Sequence, residues 1–362
     1  MPTTAESSKP GHLKYVVRGL AALVVALLGL TTWILLNSGM DLPPIPVPNG
    51  YDDLKRAGTM IIGSEPGPRG DVRQATEDEL RAYLAANREA LALGRAGLAK
   101  KCLVPLSAKE GTLEFQIADH VEWSGKIRRL SRLLACEARL AGFEGRRDDA
   151  LRAELDLVRL GNDASRGGMV IDHGIGLAIT TTGLALLRED LEKLSPDQCR
   201  RAIRGLETAF DAREPVAQVV SRESKLGSSA GTLQVRVLAS FANTFQSQLT
   251  TAFDHAVFSD KRTAADYQQI LSELGLRVYR EEHGTLPVSL GALAPTILVR
   301  IPFDPFISKN HPLNYHPDST SLMLYSVGPD GRDDGGKPMT GQTPDALGDL
   351  AFPLDRATRP TR

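Results

Sequence analysis

The chain of 362 residues is short of cysteine, of net charge, of long apolar runs and, through its middle, of proline. Its three cysteines, Cys102, Cys136 and Cys199, contain no CxxC pair, which excludes a disulfide scaffold and a cysteine-ligated zinc site. They read as small buried apolar residues, since no local cationic cluster marks one as a reactive thiolate. Lys and Arg number 43 and Asp and Glu 44, a formal charge of −1, so neither a nucleic-acid partner nor an acidic tail is indicated. Stability must come from packing, and the length leaves room for two compact domains.

Proline divides the chain. Of 22 prolines, 11 lie from Pro287 onward, eight precede Gly70, and only Pro105, Pro196 and Pro215 fall between Gly70 and Leu286. Proline inside a helix costs about 3 kcal/mol, so the proline-poor middle predicts a helical body between two different ends.

The one long uncharged apolar run, Gly19 to Leu36, is long enough to cross a bilayer core. Lys9, Lys14 and Arg18 precede it and Asp41 follows it, which predicts a cytoplasmic N-terminus and an extracytoplasmic bulk. Trp33, Ile34, Leu35 and Leu36 carry the hydrophobicity to its end with no small-residue cleavage site after it, so a retained anchor is favoured over a cleaved signal. The following LPPIPVP, Leu42 to Pro48, reads as a stiff polyproline spacer. A second apolar stretch, MVIDHGIGLAITTTGLALL, is interrupted by Asp172 and His173, and its glycines suit close helix packing in a bundle better than a second span.

Ala, Leu, Arg and Glu dominate Ala75 to Leu103 and Lys126 to Leu160, as in helices. Ile127, Leu130, Leu134, Ala138 and Ala141 form one stripe, which breaks at Gly142 to Gly145 and resumes at Leu151, Leu155 and Val158. Two antiparallel helices follow, similar to one tetratricopeptide-type hairpin but without a second copy at the same period, so a bundle is expected with a repeat array as the lesser option. Ser195 before Pro196 predicts an N-cap of a helix running to Phe210, and 218–258 predicts a long helix exposed on one side. Ser229 sits in a G-x-S-x-G sequence but follows charged SRESKL rather than a strand; Asp172 and His173 are adjacent and do not share a helix face; His120 and Glu122 have no third ligand nearby. No catalytic residue is expected.

The C-terminal region carries the most information. Tyr267, Ile270, Leu271, Leu274 and Val278 form a helical stripe ending at His283 and Gly284, and 313–316 and 322–327 read as short strands after a proline-broken loop. Leu276, Tyr279, Arg280, His283, Gly284, Leu286, Pro287 and Leu290 are followed by Ile301, Pro302, Asp304, Pro305 and Phe306. Tyr315 comes next, and then Leu324, Tyr325, Ser326, Gly328, Asp330 and Gly331. This ordered pattern resembles the globular domain of the major pseudopilin of type II secretion systems. The resemblance implies an α+β domain with a calcium-binding loop after its last conserved strand. The expected ligands are the carbonyl of Val327 and the side chains of Asp330, Asp333, Asp334 and Asp349, in a Gly-rich turn where hard oxygens could converge. The N-terminal half of the chain departs from that family: with Gly19 as the processing junction, the fifth residue would be Val24 instead of glutamate.

The expected architecture is mainly α. It comprises a cytoplasmic tail (1–18), a transmembrane anchor (19–36), a proline-rich linker (37–74), a helical domain (75–260), a pseudopilin-like α+β domain (261–354) and a disordered tail (355–362). The expected role is a non-enzymatic scaffold contacting envelope or secretion proteins. A hydrolase with a dispersed site and a minor pseudopilus component are the alternatives.

Overall fold

A computed structural model describes residues 42–106, 113–229, 243–317 and 323–352. The expected anchor at 19–36, the tail before it and the tail from 355 lie outside the described residues.

The segment expected as a linker is partly built into the body. Asn49 caps α1 (Gly50–Met60) by accepting from the Tyr51 amide, and its Oδ1 and Nδ2 also bond the amide and carbonyl of Leu103. Tyr51, Leu54 and Ala57 are buried. The stretch 42–48, read as a spacer, carries no helix, and the helix after it is fixed by a cap tied to a residue far along the chain. The stretch from Ala75 holds two helices. Thr76 and Glu79 form a capping box at the start of α2 (Glu77–Ala86), and Asn87 separates it from α3 (Arg88–Leu98) while bonding both the amide and the carbonyl of Ile62.

The expected hairpin is present as α4 (Leu113–Phe143) and α5 (Arg147–Ser165), turning at Glu144 to Arg146. It is followed by α6 (Val170–Asp190), α7 (Pro196–Asp211), which Ser195 and Gln198 cap reciprocally, and α8 (Val216–Ser229). The segment 170–193 is apolar enough to cross a membrane by length and composition, with hydropathy 1.5, and 56% of that window is buried inside the body.

Two hydrophobic clusters meet along α5 and α6. One joins Leu54, Leu80, Leu98, Leu130 and Leu134 to Leu157, Leu160, Ile175 and Ile179. The other joins Val158, Leu184 and Leu187 to α7 and to α9 (Asn243–His283), then to Leu293, Leu298, Leu313 and Leu324 of the C-terminal region. Helix α9 runs through residue 260, where a domain boundary was expected, and one core takes in residues on both sides of it. Gly284, at φ 74°, ends α9 as expected, its amide bonding the Arg280 carbonyl.

The C-terminal region contains an antiparallel pair, β1 (Phe303–Asp304) and β2 (Ser308–Pro312), and an antiparallel sheet ordered β3 (Asn314–His316), β4 (Met323–Ser326), β5 (Leu350–Phe352). Tyr325 stands opposite Asn314 on one side and Ala351 on the other.

The α5 and α6 backbones touch where side chains are missing. A Cβ on Gly176 would meet the Gly161 carbonyl and the Ser165 side chain, and one on Gly161 would meet the Gly176 carbonyl and Thr180; Gly174, on the exposed side of the same helix, has nothing within 4 Å. Gly176→Ala should therefore destabilise the chain by about 2 kcal/mol through overpacking. Gly174→Ala should stabilise it by up to about 1 kcal/mol through helix propensity. Urea unfolding of both variants tests this, and equal effects would contradict the close contact.

Candidate functional site

The loop between β4 and β5 holds all the residues expected to form a site, and it is organised by a residue outside that set. Asp304 is fully buried; its Oδ1 accepts from the Ser326 hydroxyl at 2.8 Å and the Phe306 amide at 2.9 Å, and its Oδ2 from the Val327 amide at 2.9 Å. A carboxylate with three donors is a strong anchor in a buried setting. It fastens the end of β4 to the β1–β2 turn, and so joins two blocks of the sequence pattern, the D-P of Asp304 and Pro305 and the Y-S-x-G of Tyr325 to Gly328. Gly328, at φ 71°, then reverses the chain where a Cβ would strike the Gly348 carbonyl.

Val327 is buried. Asp330 accepts from the amides of Arg332 and Gly348, both at 3.2 Å, and these bonds hold its carboxyl below the usual carboxylate range. Asp333 Oδ1 accepts from the Tyr325 hydroxyl and the Gly335 amide, both at 3.0 Å. Burial, with Asp333 as a further contribution, pushes the Tyr325 phenol up to about 12. Asp349 is fully buried, its Oδ2 accepting from the amides of Gly336 at 2.6 Å and Asp334 at 3.1 Å. Burial pushes its carboxyl up, and the charges of Asp333 and Asp334 add to the effect.

The structure thus brings Asp333 and Asp334 around Asp349, while Asp330 reaches the same turn through the Gly348 amide. As arranged, these oxygens accept from amides of the loop and, at Asp333, from the Tyr325 hydroxyl. Among the described residues, no group of three or more His, Cys, Asp and Glu is placed to hold a metal ion.

Beside this loop, a cleft of about 490 Å³ separates α6 and α9 from residues 338–342 and β5. Asp349 lines it with Arg188, Arg262 and Asp266, and Arg262 bonds Gln342 at 2.6 Å. The cleft is of small-molecule size. Burial raises the Asp266 carboxyl against the opposing effect of both arginines.

The residues weighed for catalysis sit elsewhere. Asp172 pairs with His120 instead of its neighbour His173: His120 Nδ1 lies 2.8 Å from Asp172 Oδ1, and both residues are buried. Asp172 Oδ2 also accepts from the Met169 amide at 2.8 Å, closing the first turn of α6. Glu223 accepts from the Val170 amide at 2.6 Å, and burial, helped by Asp172, raises its carboxyl. His173 Nε2 lies 3.3 Å from Asp260 Oδ1, at an ion-pair distance but outside hydrogen-bond geometry. Ser229 is the last residue of a helix, so no strand leads into its G-x-S-x-G sequence. Cys102, Cys136 and Cys199 are free and buried, as expected, and desolvation pushes the first two thiols up to about 12.

Asp304 and Ser326 stand in the C-terminal sequence pattern without a role of their own, and the signal that joins them is the pairing of a D-P block with a later Y-S block. The His120 and Asp172 pair had no local signal. No family model matches the chain, and neither do any curated protein or solved structure.

Asp304→Ala would leave the Ser326 hydroxyl and the amides of Val327 and Phe306 without their acceptor and should cost about 3 kcal/mol or more, whereas Ser326→Ala removes two weaker bonds, one to Asp304 and one from the Gly328 amide, and should cost about 2 kcal/mol. Chemical unfolding with proteolysis of the loop as a second readout checks the ranking; an Asp304→Ala variant as stable as Ser326→Ala would remove Asp304 from the centre of the loop.

Proposed function

We propose that this protein is a single-pass, membrane-anchored scaffold that presents its helical body and a pseudopilin-like C-terminal unit outside the cytoplasmic membrane, for contact with envelope or secretion proteins. The observation that carries the reading is the Asp304 anchor. It gives one physical task, holding the loop after β4, to two separated blocks of the pseudopilin-like pattern. The long α9 followed by a small antiparallel sheet supports the same reading. The anchor rests on the apolar run 19–36 and its basic flank.

Calcium belongs to this proposal through Asp349. Its buried carboxyl is crowded by the charges of Asp333 and Asp334, and a divalent cation would relieve that crowding by displacing some of the amide contacts of Asp330 and Asp333. No part of the proposed scaffold role depends on the ion.

Topology is tested with a C-terminal epitope and protease added to spheroplasts. Digestion of the epitope before lysis is expected, and protection until lysis would contradict the orientation. For calcium, the melting temperature of the full chain should be higher with the ion than with chelator, and Asp330→Ala should lose the difference; equal melting temperatures in the unaltered chain would remove calcium from the reading.

A further inference from the structure

A small cavity of about 140 Å³ lies between α4, α5 and the C-terminal end of α6, far in sequence from the acidic loop. Its polar lining is Arg139, Glu154, Glu189, Asp190 and Lys193, and its apolar side Ala138, Phe143 and Leu186. Glu154 is 2% exposed, and its Oε2 has no hydrogen-bond partner; the buried Nε of Arg139 has none either. Leaving a buried carboxyl oxygen and a guanidinium N–H unpaired opposes folding, so two such residues lining one cavity point to a ligand that pairs with both.

The surrounding charges indicate its sign. Asp190 is already neutralised, accepting from Arg147 Nη1 at 3.1 Å and Lys193 Nζ at 2.5 Å. Glu189, its side chain 58% exposed, lies 3.6 Å from Arg139 Nη1. Burial, helped by Asp190 and Glu189 and opposed by Arg147 and Lys193, pushes the Glu154 carboxyl up to about 8, so it holds its proton at neutral pH. Arg139, Arg147 and Lys193 then face two carboxylates, and the Glu154 O–H and Arg139 Nε–H are both donors. A small anion completes this arrangement, and the apolar wall suits a short alkyl end.

We propose that this cavity binds a short-chain monocarboxylate, whose oxygens accept from Arg139 Nε–H and the Glu154 carboxyl while its alkyl end packs against Phe143 and Leu186. The site is separate from the scaffold reading and does not rest on it.

Acetate and propionate titrated onto the full chain in detergent micelles, followed by ligand-observed NMR at pH 6 and pH 9, test the proposal. Both ions stay charged over this range. Saturable binding is expected, about tenfold weaker at pH 9, where Glu154 has lost its proton and repels the anion. Glu154→Gln keeps the shape without the titration and should bind equally at both pH values. Arg139→Gln should bind at least about tenfold more weakly, the loss of a charge-assisted bond. Three results would overturn the proposal: no saturable binding, so that the cavity holds solvent only; affinity that rises with pH, the signature of a cation; or a pH dependence that survives in Glu154→Gln. Should Arg139→Gln fail to fold, the Glu154→Gln comparison decides alone.

Discussion

Two helix backbones come into direct contact only where side chains are absent, and α5 and α6 do so at Gly161, Gly176 and Gly183. Both helices then have apolar residues on two sides to bury. Leu157, Leu160, Ile175 and Ile179 complete the cluster formed with α1 to α4, whereas Val158, Leu184 and Leu187 complete the cluster formed with α7, α9 and the C-terminal sheet. A helix apolar all round must be enclosed on all sides, by protein or by lipid. For α6 its own chain buries 56% of the apolar window, and Gly174, Ala178, Thr181, Thr182 and Ala185 form its exposed side.

The C-terminal region is joined to this body through α9 and gains order from side-chain carboxylates. Its strands are short, three or four residues in β3 to β5, and offer few ladder bonds. Asp304, Asp330, Asp333 and Asp349 supply acceptors that such strands cannot, each taking backbone amides of the loop or its flanks.

What could be read from the sequence was what local periodicity and turn chemistry encode. The hairpin broken at Gly142 to Gly145, the Ser195 cap, the Gly284 stop, the strands near 314–316 and 323–326 and the close-packing glycines of α6 all follow from patterns within one or two helical turns. What escaped depends on partners far along the chain. Helix α1 is fixed by Asn49 reaching Leu103, Asp172 is claimed by His120 instead of the adjacent His173, and β5 pairs with β4 across the whole acidic loop. The pseudopilin-like resemblance placed a division near 260, but α9 runs through that point and its apolar residues from Tyr267 onward pack in one core with residues of α5, α6 and α7. The two unpaired atoms of Glu154 and Arg139 were equally hidden, since sequence spacing does not reveal which buried polar groups lack partners.

The central structural claim is that α6 and α9 belong to one core, so that the helical body and the C-terminal unit unfold together. Hydrogen exchange of the full chain across a urea series, resolved by peptide, measures this directly. The account predicts that peptides from α6 and from the 263–278 stretch of α9 reach the same opening free energy and share one transition. Separate transitions, with α9 and the sheet opening while α6 stays protected, would contradict it.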